Sequence, residues 1–327
     1  MSASKSLLLR IWRTAEEAMY RPDQGGGAGA ELPPVQLRYV ATTGNDVSGN
    51  GSFAQPFATV SHALTTITDA TALKPYVVFV SPGAFTDDIP LKSDISIKGV
   101  DPSDRPTFSG ALSISGGYTA GNPTGIADCI FTAAQTLDFS ALAGTSFALV
   151  DNEFAAVFRL TGCIASIRSN RFANDSHFVD VPLHSQDNAF VSSDGGANFS
   201  AETIDVTWLS NGDDFGSSLN VSATAPQTME AQHIGSQAGG GNTLTLTGAG
   251  VTFEGTAGAI PPSVVLAGGA AAPILWTQGN SIGYSAHTPG NWAGSAPAAV
   301  TDQNTLANSA IDRLAAAVEG ILGHAIP

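Results

Sequence analysis

Residues 167–190 read IRSNRFANDSHFVDVPLHSQDNAF, and the triplet Asn-x-Phe stands in them twice, at Asn170/Phe172 and Asn188/Phe190. One step earlier, in VDNEF, it occurs again at Asn152/Phe154. Both intervals are 18 residues. A fixed interval in a strand-rich chain is the mark of a solenoid, in which each turn of chain lies on the one before. The expected arrangement is an internal stack of Phe154, Phe172 and Phe190, with Asn152, Asn170 and Asn188 as a ladder at a corner. Asparagine suits that place, because it tolerates the left-handed conformation and its amide can bond to the adjacent rung. An interval of 18 also equals three hexads, the count of a left-handed coil. Phe172, Phe178 and Phe190 keep that spacing but His184 breaks it.

The rest of the chain has the same texture. Short apolar runs such as YVVFV (76–80), ISIKGV (95–100), FALV (147–150), IDVTWL (204–209) and TLTLTG (243–248) are split by turns. Nothing long and helical separates them, which argues against alternating β/α folds. The 327 residues include 36 glycines and only 13% charged residues, with 43% hydrophobic. That composition fits an all-β chain with many turns and is too apolar for disorder.

The entry to this region carries a recognisable motif. YVATTGNDVSGNGSFAQPFATVSHAL (39–64) resembles the segment that precedes the first coil in right-handed parallel β-helix proteins of the pectate-lyase-like superfamily. The matching residues are Tyr39, Val40, Gly44, Asp46, Gly51, Pro56, Phe57, Thr59, Val60, Ala63 and Leu64. The resemblance implies a single-stranded, right-handed parallel β-helix, of the kind also found in bacteriophage spike proteins. Phe57, Val60, Ala63 and Leu64 would form a helical lid over its open end. It implies little about activity.

The flanks read differently. Residues 4–20 suggest a short amphipathic helix with Leu8, Ile11, Trp12, Ala15 and Met19 on one side, tethered by GGGAGAELPP (25–34). Such a helix needs a partner surface, and an attachment role is favoured over packing on the body. At the other end, Thr301 or Asp302 would cap a helix in which Ala307, Ile311, Leu314, Val318 and Ile321 alternate spacings of four and three. That seam suits a clamp for a homotrimer, or packing on the chain's own body. The expected organisation is therefore an attachment segment (1–36), an entry cap (37–66), a β-helix body with a looser distal part (67–299) and an oligomerisation helix (300–327).

A net charge of −15 disfavours nucleic acid and anionic lipid as partners. The N-terminal apolar run is short and interrupted by Arg10 and Arg13, unlike a signal peptide, and no stretch is long enough for a membrane helix. Cys129 and Cys163 sit in apolar surroundings and read as buried thiols, with a disulfide between neighbouring coils as the alternative.

Candidate carboxylates for chemistry on a β-helix are Asp151, Glu153, Asp175, Asp180, Asp187 and Asp194, with Arg159, Arg168 and Arg171 nearby in sequence. The shift of 18 takes Glu153 to Arg171, which suggests an outward ion pair between rungs. Asp87-Asp88 and Asp213-Asp214 read as solvated corners, with calcium binding as the alternative. His177 and His184 match no familiar metal spacing, and no nucleotide, zinc-protease or nucleophile-elbow motif is present. No catalytic residue, metal ligand or cofactor is assigned. Three functions remain. The first is a virion structural protein made in the host cytoplasm and carried on the particle surface, joined to other virion proteins through its N-terminal helix and touching host glycan. The second is a polysaccharide lyase or hydrolase. The third is a non-catalytic adhesin using Trp208, Trp276 or Trp292 as sugar platforms.

Overall fold

In the computed structural model the described residues are 35–116, 118, 119, 124–142, 144–191, 196–216, 218–234, 237, 238, 243–248, 250–256, 263–267, 274–278, 292–294 and 299–302. For 233–238, 243 and 254–302 the description is of the backbone alone. The attachment helix and the heptad seam expected from the sequence lie outside these residues.

Each coil follows one plan. A longer strand such as Ile164–Arg168 meets a corner and then the two-residue strand Arg171–Phe172. A second corner leads to a third strand, Ser176–Val179. Coil upon coil, these pieces pair in parallel with their counterparts. Among the described residues the result is a first sheet of 12 strands, a second of 8 two-residue strands and a third of 8 strands, besides a short two-stranded sheet in the earliest coils. All strand pairing is in parallel register, which makes the body an all-β parallel β-helix. Strands at 263–267, 274–278, 292–294 and 299–302 continue the first and third sheets, so the distal region holds further rungs. Thr301 and Asp302, expected as a helix cap, lie in the strand Ala299–Asp302.

Alternation along each strand sends every second side chain inward. The second sheet contributes Phe85, Phe108, Phe131, Phe154, Phe172, Phe190 and Phe215 in an unbroken stack. Successive ring centroids lie 5.3, 5.4, 5.2, 5.3, 5.0 and 5.0 Å apart. These distances follow the spacing of parallel strands, about 4.8 Å. The third sheet adds Phe158, Phe178 and Phe199, and Trp208 of the first sheet lies against Phe199 at 3.6 Å. Phe178 therefore belongs to a different face from Phe172 and Phe190, and the apparent hexad has no structural counterpart.

The asparagine ladder runs beside this stack. Asn152 donates from its backbone N and its Nδ2 to Asn170 Oδ1 (3.0 and 3.1 Å), and Asn170 does the same to Asn188 Oδ1 (2.9 and 3.0 Å). Each Nδ2 also donates to a carbonyl of the first sheet, that of Ile126, Leu149 or Ile167. One expectation needs correcting. The left-handed corner is taken by the residue before each ladder position: Asp128, Asp151, Ser169, Asp187 and Gly212 have φ of 57°, 55°, 53°, 53° and 70°. Aspartate and serine bear that conformation outside, so the asparagine side chain is free to turn inward and satisfy buried backbone.

The ladder ends on Asp213, which the sequence placed at a solvated corner. It is fully buried; Oδ1 accepts from Asn188 N and Nδ2 at 2.8 and 2.9 Å, and Oδ2 accepts from the Ser185 and Ser210 hydroxyls. Burial pushes the carboxyl above its ordinary value, opposed by these four hydrogen bonds. A folded-state value above the unfolded one means that its contribution is complete below about pH 4 and lost as pH rises through the folded-state value. Asp213→Asn keeps the volume and the Oδ1 acceptor while removing the charge, and its Nδ2 asks the Ser185 and Ser210 hydroxyls to turn and accept instead of donate. We expect it to raise stability at pH 7 by about 1 kcal/mol. In denaturant titrations across pH, its advantage over the parent should shrink toward pH 4; a gap that stays constant would refute the charge argument.

The entry cap explains its motif. Asp46 accepts hydrogen bonds from Ala58 N, Thr59 N and Thr59 Oγ1 at 2.7, 3.2 and 2.8 Å, pinning the loop before the helix Val60–Thr66. Gly44 is required because a Cβ there would meet Phe57 O at 2.1 Å. Thr59 caps the helix by accepting from His62 N, and Lys92 Nζ closes its other end by donating to Leu64 O and Ile67 O at 2.6 and 3.0 Å. Val60, Ala63 and Leu64 are buried beneath it, covering the first rung.

Candidate functional site

The first sheet ends, rung after rung, at the left-handed corner, and on its outer side there a pocket of about 500 Å³ opens. Lys98 enters from the strand Ile95–Gly99, and Asp128, Asp151 and Ser169 come from three successive corners. The far wall is the loop after Gly99, with Val100, Pro102 and Arg105. Gly99 allows this approach, since a Cβ would meet Asp128 O at 2.2 Å. Asp101 shapes the loop by accepting from Ser103 N and Oγ at 2.8 and 2.6 Å.

Charge is concentrated here. Arg105 Nη1 donates to the Asp151 carbonyl at 2.9 Å and Nη2 to Glu153 Oε2 at 3.1 Å. Glu153 Oε1 takes Arg171 Nη1 from the next rung at 2.7 Å, the pair that the shift of 18 suggested. Lys98 Nζ stands 3.7 Å from Asp128 Oδ2, close for charge attraction but long for a hydrogen bond. Burial raises the Asp128 carboxyl above its ordinary value; Lys98 opposes the shift and the neighbouring Asp151 adds to it. The pocket thus offers both signs of charge and a serine hydroxyl to a polar ligand. Three of the chain's 13 cationic residues meet at this one corner.

The other sequence candidates have different roles. Asp180 sits at its own left-handed turn and accepts from Glu202 N, Thr203 N and Thr203 Oγ1 at 2.6, 2.9 and 2.7 Å. Burial opposes ionisation there, yet these bonds together hold its carboxyl below the ordinary value. Asp87 Oδ2 accepts from Ser61 N and Asp88 Oδ1 from Ala111 N, so that doublet ties the cap helix and the next coil together. His177 lies on the outer face of the third sheet, between Arg159 and Asn198 in register. Trp208 is not a sugar platform: it is fully buried, and its Nε1 donates to Ser185 Oγ at 2.9 Å. The side chains of Trp276 and Trp292, and all of Asp194, lie outside the description. Cys129 and Cys163 are buried free thiols. Among the described residues, no three or more of His, Cys, Asp and Glu gather as a metal site would require, and no helix is long and apolar enough to cross a membrane.

Sequence reasoning found Asp151, Glu153 and Arg171 but missed Lys98, Arg105, Asp128 and Ser169. The contacts that unite them span up to 48 residues. A weaker signal was available in the dipeptides Asp128-Cys129, Asp151-Asn152, Ser169-Asn170, Asp187-Asn188 and Gly212-Asp213, which mark one corner on five rungs.

Topology and corner define the class, a single-stranded parallel β-helix with a polar pocket on its flank. No protein-family model and no curated protein matches the sequence. Among solved structures, a rhamnogalacturonan lyase is similar at 11% identity and a TM-score of 0.40, covering 80% of this chain and 87% of that one.

Proposed function

We propose that this chain is the β-helical shaft of a trimeric virion surface appendage, carrying a site for host glycan at the Lys98/Asp128 corner. The observation that supports it is the mutual commitment of the charged groups in and beside that pocket. Arg105 and Arg171 both serve Glu153, and Arg105 also holds the Asp151 carbonyl. Side chains fixed in this way form a rigid recognition surface with little reorganisation on binding, the circumstance in which hydroxyl-rich ligands are held well. The continuous stack and ladder suit a load-bearing shaft. The flanking segments, read from sequence, supply attachment at one end and a clamp at the other.

The test is binding of host-surface oligosaccharides by calorimetry. Lys98→Ala and Ser169→Ala are expected to weaken binding about tenfold each, as loss of one polar contact does. Unchanged affinity in both variants would remove the site from this corner.

One observation favours a catalytic version of the same corner: Asp128 and Asp151 stand on neighbouring rungs beside Lys98, with the Asp128 carboxyl held toward its protonated form. A paired acid and carboxylate is what glycoside cleavage uses. Release of reducing or unsaturated ends from the oligosaccharides that bind, abolished by Asp128→Asn, would establish it. Binding without release would leave the recognition role.

A further inference from the structure

The outer face of the first sheet carries a row of rings that ends at the pocket. Tyr39, Phe79 and Lys98 follow one another there in direct register on the first three strands. The half-buried rings of Tyr39 and Phe79 are stacked, with centroids 5.6 Å apart. Phe53 adds a third ring, set across Tyr39 at 82° with centroids 5.5 Å apart, and it is 79% exposed. It stands in a tight turn: Ser52 and Gln55 pair across it, Ser52 N donates to Asn50 Oδ1 at 2.9 Å, and Tyr39 N donates to Gly51 O at 2.9 Å. These backbone bonds hold the turn, so the ring is displayed to solvent in a fixed place. In the other direction the register runs from Lys98 to Ala127 and Val150, which are buried. The open row therefore runs from Phe53 to Lys98 and stops where the pocket begins.

We propose that this row is a second subsite of the glycan pocket. It takes the further units of a linear pyranose chain that lies along the helix axis with one unit in the Lys98/Asp128 pocket. A pyranose ring has an apolar face of C–H groups and a rim of hydroxyls. Aromatic rings take the first by dispersion and burial. The Tyr39 hydroxyl, Ser96 and Lys98 on the same face offer hydrogen bonds to the second. Spaced 5.5 and 5.6 Å apart, the rings present a new contact to each successive sugar unit. A protein partner fits poorly. Taken with Leu37, exposed beside Tyr39, the three rings show no more than about 450 Å² to solvent, given the 150–250 Å² that a whole aromatic side chain can bury. A stable protein interface takes about 800 Å² from each partner. The subsite rests on the glycan reading of the pocket and sets its ligand class as a chain of several units instead of a single sugar.

A glycan array probed with the full chain supplies the ligand, and calorimetry then follows its fragments from disaccharide to octasaccharide. Affinity should rise with length, by about tenfold or more across the series. Phe53→Ala should weaken the octasaccharide about tenfold and leave the disaccharide unchanged, because the ring meets only the longer fragments. Phe53→Tyr keeps a ring and should bind as the parent does. Lys98→Ala should weaken every fragment by a similar factor. Circular dichroism melts of each variant separate lost binding from unfolding. Affinity independent of length, with Phe53→Ala equal to the parent, would overturn the row and leave the pocket. Affinity that rises with length and falls in Phe53→Ala, with Lys98→Ala equal to the parent, would keep the row as a sugar site and remove the pocket. An array that captures no glycan would overturn both. An assembly mass by light scattering that falls in Phe53→Ala, with glycan affinity unchanged, would make the row a contact between proteins and refute the subsite.

Discussion

Phe172→Ala is expected to destabilise the chain by about 3–5 kcal/mol, the cost of removing a fully buried aromatic ring from a packed interior. The ring lies in the middle of the seven-membered stack, 5.3 Å from Phe154 and 5.0 Å from Phe190. It also meets Phe158 and Phe178 at 5.4 and 5.8 Å, so four rings lose a neighbour at once. A β-helix cannot collapse readily into the space, because rung spacing is fixed by the hydrogen bonds of three sheets. The cavity term should therefore remain. Phe172→Leu refills part of the space and should cost about half as much. Chemical denaturation followed by circular dichroism measures both; a loss below about 1 kcal/mol for the alanine variant would mean that the stack does not carry the core.

Asn170→Ala is expected to cost about 4 kcal/mol, for a different reason. The side chain is buried; it accepts from Asn152 N and Nδ2 and donates to Leu149 O and Asn188 Oδ1. Its removal strands Asn152 N away from water and takes a donor from Leu149 O and Asn188 Oδ1, and a buried group left unsatisfied costs roughly 1–3 kcal/mol. Asn170→Asp sharpens the test. An aspartate would keep the acceptor but turn a carboxylate oxygen toward Leu149 O and Asn188 Oδ1, which cannot donate to it. We expect this variant to be worse than alanine at pH 7 and to recover in acid. Its folded-state value would be raised, so stability is present at low pH and lost as pH rises. Asp213 avoids that facing of acceptors because Ser185 and Ser210 turn hydroxyl protons toward it, which leaves only the burial of its charge against it. An Asn170→Asp chain as stable as the parent at neutral pH would show that the ladder is dispensable.

The central coils were legible because two of them keep the 18-residue interval. Phe85, Phe108, Phe131 and Phe215 belong to the same stack but escaped notice. The ladder steps on either side are 23 and 25 residues, since the corners there hold extra chain. The entry motif was readable because its glycine, aspartate and apolar positions answer local demands: a close backbone approach at Gly44, a loop pinned by Asp46, a lid face at Val60, Ala63 and Leu64. The pocket was not. Its groups come from corners whose spacing varies, and what unites them is position on successive rungs. The left-handed residue was misassigned by one position, a difference that decides whether asparagine points out as a turn residue or inward as a rung of the ladder.

The uneven length of the corners has a consequence for how such a chain can diversify. From Asn152 to Asn170 the coil closes in 18 residues, and from Asn188 to Asp213 in 25, yet the stacked rings keep the same 5.0 to 5.4 Å separation throughout. Insertions and deletions at the corners are therefore silent inside. The outline of the β-helix can be rewritten segment by segment while the same thread of phenylalanine and asparagine runs unaltered beneath.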